Sequence, residues 1–169
     1  MEYLIVDGYN IINAWPELAE LVKDNLENAR HKLLEIMANY QGYIKAKVIV
    51  VFDAHLVKGS TQKREKYGGL EVVFTKENET ADNYIERLTH QIAKSNRVRV
   101  ATSDFLEQTI ILGKGATRIS AQELRQEVQQ VRKRIQEKSL EKTVKSHTIG
   151  SRLQKDTLEA LEKLRREKF

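Results

Sequence analysis

Cysteine is absent from the 169 residues, which excludes a disulfide framework and any thiolate metal site. Proline occurs once, at Pro16, and no internal repeat or low-complexity tract is present. No apolar stretch approaches the roughly 20 residues needed to span a bilayer. The opening MEYLIVDG lacks a basic segment followed by a long apolar run, so no signal peptide is expected. Together these absences predict a soluble, cytoplasmic protein with no membrane partner. A Ser-His or Cys-His nucleophile is also missing, and His31, His55, His90 and His147 follow no metal-ligand spacing.

The length suits one domain with a real core plus a short extension. The net charge of +5 is unevenly placed: residues 114–169 carry +7 and residues 1–113 carry −2. A basic excess in the last third suits a polyanionic partner, and it equally suits a solvated, mixed-charge helix.

Hydrophobic patterning gives the element order. Residues 3–6 are apolar and β-branched and read as a buried strand ended by Asp7-Gly8. Residues 17–41 carry apolar positions on one helical face, with Pro16 in the first turn and Gly42 at the end. Residues 47–53 form an uninterrupted apolar run, as a strand covered on both faces requires. A polar, basic loop over 54–69 follows, then a strand over 70–75. Thr80 is placed to cap a helix reaching residue 93. A strand over 98–102, a short helix over 105–112 stopped by Gly113, and a short strand over 116–119 complete the domain. The helical, charged segments 121–142 and 151–168 come last, separated by Gly150, and the second bears a thin apolar stripe of Leu153, Leu158, Leu161 and Leu164. Strands alternating with helices predict an α/β, Rossmann-like three-layer sandwich with a mainly parallel sheet over 1–120. Residues 121–169 form a basic helical extension packed on the domain or flanking it.

In such sheets ligands bind beyond the carboxyl ends of the strands. Asp7 ends the first strand, Asp53 ends the second, Asp104 follows the fourth, and Asp82 lies in the first turn of the helix after the third. Parallel strands bring all four to one edge. Crowded carboxylates repel one another, and Mg²⁺ or Mn²⁺, which prefer carboxylate oxygen and water, relieve that repulsion. The chemistry expected of such a site is metal-assisted phosphodiester hydrolysis. Each acid also has an ordinary structural role open to it: Asp104 as a helix cap, Asp82 as a first-turn acid, Asp7 and Asp53 as turn formers. Asn10 could hold a water or a phosphate oxygen, or cap a helix. Thr102 and Ser103 could meet phosphate or an outer water, or serve as caps.

The segments Asp7-Gly8-Tyr9-Asn10-Ile11-Ile12, Val51-Phe52-Asp53-Ala54, Glu79-Thr80-Ala81-Asp82-Asn83-Tyr84-Ile85 and Ala101-Thr102-Ser103-Asp104 resemble, in order and spacing, the motifs of an NYN domain, a branch of the PIN-like nucleases. The resemblance is closest to the bacterial YacP-like family of ribosome-associated endoribonucleases and covers essentially the whole chain. It implies a PIN-like fold, Mg²⁺-dependent cleavage of mRNA, and action on the ribosome. It assigns metal binding to Asp7, Asp82 and Asp104 and places Asp53 at a motif position of the catalytic group.

Two basic surfaces suit RNA. Lys58, Lys63, Arg64, Lys66 and Tyr67 fall in the loop after Asp53, and Arg132, Lys133 and Arg134 fall in the extension. A monomer is expected. The competing reading is a non-catalytic RNA- or ribosome-binding module whose carboxylates are caps. A phosphotransfer receiver or a haloacid-dehalogenase-type phosphatase expects a second acid near Asp7, and a nucleotide-binding loop expects more glycine than Gly113-Lys114-Gly115 offers.

Overall fold

The computed structural model describes residues 1–55, 58–103 and 115–167. Its elements are β1 (Glu2–Asp7), α1 (Gly8–Ala14), α2 (Pro16–Asp24), α3 (Leu26–Tyr43), β2 (Lys47–Phe52), β3 (Lys63–Tyr67), β4 (Leu70–Phe74), α4 (Ala81–Ile92), β5 (Arg97–Ala101), β6 (Thr117–Ile119) and α5 (Ala121–Glu167). The expected helix over 105–112 and Asp104 lie outside the described residues.

The sheet order is β3-β4-β2-β1-β5-β6. Among the described strands only β3 runs antiparallel, against β4. The apolar runs of β1 and β2 are buried along most of their length, as strands covered on both faces must be. One face packs Ile5, Ile49, Val51, Val73 and Val100 against Ala81, Tyr84 and Ile85 of α4. The alternate residues, among them Leu4, Val6, Val50 and Phe52, are fully buried on the face toward α1–α3. Each such side chain contributes about 1.5–3 kcal/mol of burial. The result is the expected three-layer α/β sandwich.

Several boundaries depart from the sequence reading. Residues 17–41 are two helices rather than one. Asn25 is extended (φ −163°, ψ 124°), and its side chain accepts from Glu27 N at 2.7 Å, capping α3. The expected long loop over 54–69 contains β3, whose register pairs Lys63 with Phe74 and Tyr67 with Leu70. Gly150 does not interrupt α5. One glycine costs a helix about 1 kcal/mol relative to Ala, which is too little by itself to end a long one.

The chain divides into two compact units, Met1–Gln129 and Gln130–Phe169. The first turns of α5 belong to the first unit. Leu124 and Val128 are buried there, Trp15 Nε1 donates to Ala121 O at 2.8 Å, and Tyr40 OH donates to Glu127 Oε2 at 2.7 Å. Arg99 Nη1 reaches both Glu127 oxygens at 3.1 Å. Burial and the Glu127 carboxylate push the Tyr40 phenol up to about 12, so it remains a donor. In the second unit Arg132, Lys133 and Arg134 are exposed, as are Leu161 and Leu164 of the apolar stripe. Among the described residues no helix is long and apolar enough to cross a membrane.

Candidate active site

Parallel register brings the acids to one edge. Asp7 lies opposite Val51, two residues before Asp53. Ala101 lies opposite Val6, which sets Thr102 level with Asp7. Thr75 N donates to Phe52 O at 3.0 Å, so the segment leading to α4 leaves from the same edge. Asp7, Asp53 and Asp82 therefore share the carboxyl edge. Asp104 follows Ser103 there in sequence and lies outside the described residues.

The three described aspartates differ in their surroundings. Asp7 is buried, at 7% exposure, and sits at the N-cap of α1 without a side-chain cap hydrogen bond. Its place at the end of a buried strand, rather than a capping role, accounts for its position. Asp82 is exposed in the first turn of α4, where the helix dipole favours a negative charge. The cap of that helix is Thr80, whose Oγ1 accepts from Asn83 N at 3.1 Å.

Both Asp53 oxygens have partners. Oδ1 accepts from His55 N at 3.0 Å and meets His55 Nδ1, and Oδ2 accepts from Ala81 N at 3.3 Å. Burial pushes this carboxyl up, but the His55 and Ala81 hydrogen bonds outweigh it and hold the group below the usual range. Asp53 thus ties the end of β2 to the first turn of α4, beside Asp82. A depressed folded-state pKa adds stability above the unfolded value of about 3.9 and loses it as pH falls through the folded value. Asp53→Asn is therefore expected to be less stable than the native chain at pH 7. The gap should close below about pH 4, as read by urea unfolding at each pH. A gap unchanged from pH 7 to pH 3 would remove the carboxylate charge from this role.

Asn10 lies inside α1 rather than at its cap. Its Oδ1 accepts from Ser103 N at 2.6 Å and Ser103 Oγ at 2.5 Å. It therefore anchors the segment after β5 beside Asp7. Thr102 is fully buried, with its N–H on Ile119 O at 3.2 Å.

The basic loop residues separate. Lys58 and Lys63 are exposed near the carboxyl edge. Arg64 donates to Glu71 Oε1 at 3.2 Å and Tyr84 OH at 2.9 Å. Lys66 and Tyr67 lie toward the other end of β3, about 10 Å or more along the strand from Lys63. The Tyr67 ring packs edge-on against His31. The reading of all five as residues of one loop after Asp53 is corrected for Lys66 and Tyr67, because they lie in β3, which carries them away from the aspartate edge. A groove of about 850 Å³ lies at the opposite, amino-terminal edge, lined by Ile44, Lys45, Lys47 and Leu70, and is separate from the aspartates.

Two residues were not singled out from sequence. His55 completes an Asx-type turn with Asp53, a signal readable in the i, i+2 spacing. Glu79 is buried and pairs with Arg87 at 2.7 Å, holding the entry to α4.

Among the described residues no three acidic or histidine side chains converge as a cation cage. Mg²⁺ does not need one: it keeps several waters and is held by one or two carboxylates together with substrate phosphate. The oxygen-only donors Asp7 and Asp82 fit that chemistry.

Comparison with known proteins agrees with this fold. The family model described as the YacP-like NYN domain matches residues 4–166. The chain is 46% identical over 167 residues to the "Uncharacterized protein YacP" of Bacillus subtilis (strain 168), covering 98% of each. The crystal structure of Rae1 (YacP) from Bacillus subtilis matches with TM-score 0.75 at 46% identity, covering 98% of this chain and 95% of that one. Its W164L mutant matches with TM-score 0.68 over 80% and 79%.

Proposed function

The chain belongs to the YacP-like NYN domain family, a family of nucleases, and on that premise we propose that it is a divalent-metal-dependent endoribonuclease that cleaves mRNA in association with the ribosome. The observation that carries this reading is the gathering of Asp7, Asp53 and Asp82 at the carboxyl edge of a parallel sheet. The mRNA and the ribosome enter through the resemblance of the motifs to the family, and the exposed cations of both units suit a polyanion.

Asp7 and Asp82, with Asp104, would hold Mg²⁺ or Mn²⁺. When bound, the ion supplies Lewis-acid stabilisation of charge on the phosphodiester and lowers the pKa of an attacking water. The chain's own part is positional. Asp53 fixes the first turn of α4 through Ala81 N, and Asn10 fixes Ser103 beside Asp7. Lys58 and Lys63 extend positive charge from this edge toward phosphates on either side of the scissile linkage.

Cleavage mapping of an mRNA, with and without active translation, tests the reading. Cuts that vanish when divalent metal is chelated are expected, and they should be denser on translated message. Cleavage that persists in chelator would sink the metal-dependent reading, and RNA binding with no cleavage would favour the non-catalytic module. The surface is tested separately by salt. Replacing Lys58 and Lys63 with Ala is expected to flatten the slope of log K against log salt by about 1.4, near 0.7 per phosphate contact on single strands. Lys66→Ala should leave the slope unchanged. Equal effects of all three would mean that the cations act only through net charge.

A further inference from the structure

Three aromatic rings lie in a row on the α1–α3 side of the aspartate edge. Phe52 is fully buried in the middle. Tyr9 and Phe74 flank it at centroid distances of 5.1 and 5.4 Å, and both residues are half-buried rather than sealed in the core. Tyr9 lies two residues beyond Asp7, in the first turn of α1. Arg30 Nη1 donates to Tyr9 OH at 2.9 Å, fixing ring and guanidinium relative to each other. At the other end exposed Lys63 lies opposite Phe74 in the register, and opposite residues of an antiparallel pair share a face. A buried ring thus supports the rings of two half-buried residues, each accompanied by a cation, beside the acids.

Alternating π faces and cations match single-stranded nucleic acid, whose bases stack on aromatic rings while Lys and Arg meet the phosphates. A duplex keeps its bases stacked on one another and cannot offer them to a protein ring without unstacking. We propose that Tyr9 and Phe74 form a base-stacking platform for unpaired RNA, with Arg30 and Lys63 holding the adjoining phosphates, and that this platform sets which linkage lies beside Asp7. The proposal rests on the RNA-cleaving reading above and adds the subsite that seats the bases.

Binding of a short single-stranded RNA to the uncleaving Asp82→Asn chain, followed by fluorescence anisotropy, tests it. One base is removed at each position in turn. One or two adjacent positions should weaken binding about tenfold, the scale of losing one base–aromatic stack. In a Tyr9→Ala background those positions should lose their effect while the others keep theirs. A flat scan, or a scan identical in both backgrounds, overturns the platform. Should Tyr9→Ala fail to fold, 2-aminopurine at the sensitive positions provides a second measurement on the Asp82→Asn chain. Its fluorescence should be quenched by stacking on binding, and unquenched binding overturns the proposal. A hairpin of the same sequence should bind about tenfold more weakly than the open strand, and equal binding counts against the platform. If no RNA binds at all, the RNA reading itself fails, which is a different result from binding with a flat scan.

Discussion

Replacing Asp7 or Asp82 with Asn is expected to reduce RNA cleavage by about 10³-fold or more, the scale on which loss of one strong electrostatic group at a reacting centre is felt. Affinity for RNA should change little, because the cations that meet phosphate lie on other residues. The substitution is nearly isosteric. Asp7→Asn should therefore fold and keep its melting temperature close to the native value while cleaving almost nothing. Loss of activity with retained stability separates a functional carboxylate from a structural one. Lost activity with a lowered melting temperature would instead make Asp7 a folding residue, and normal cleavage by the folded double variant would remove both acids from the chemistry.

The second large effect concerns Gly8. A Cβ at this position would lie 2.3 Å from Phe52 Cε1 and 2.5 Å from Cδ1. Phe52 cannot swing aside easily, since it is fully buried between the rings of Tyr9 and Phe74. Gly8→Ala must displace either that ring or the start of α1, at a cost of about 3 kcal/mol by comparison with overpacked cores. For a chain of this size that is roughly a 10 °C fall in melting temperature. Asp7 is the preceding residue, so cleavage should fall as well, even where the variant is fully folded. Shrinking the obstruction with Phe52→Leu in the same chain should recover part of the loss, because residues in contact are not additive. A Gly8→Ala chain that melts within about 2 °C of the native protein would show that the contact relaxes without cost.

Gly8 illustrates how much of this site could be read in advance. In the sequence it is only the glycine after a strand-ending aspartate, and a turn is the natural reading. Its necessity comes from a ring 44 residues away in the chain. Asp53 makes the same point differently. Its place after an apolar strand put it on the correct edge, but its partners, His55 and Ala81, are set by a turn and by a helix arriving from the far side of β4. Arg64 reads as a free loop cation, yet edge strand β3 turns it onto Tyr84.

What the sequence determined by itself was the layer order and the shared edge. Short apolar strands alternating with helices leave few topologies, and right-handed crossovers send the parallel carboxyl ends the same way. That was enough to bring Asp7, Asp53 and Asp82 to one side. Only the tertiary structure decided what each residue does there. Side-chain partners depend on contacts between segments remote in the chain, and local pattern carries no information about them. The aspartate edge was therefore legible from Asp7 onward, while the ring row of Tyr9, Phe52 and Phe74, the Asn10–Ser103 anchor and the division of the basic segment by β3 existed only once the chain had folded.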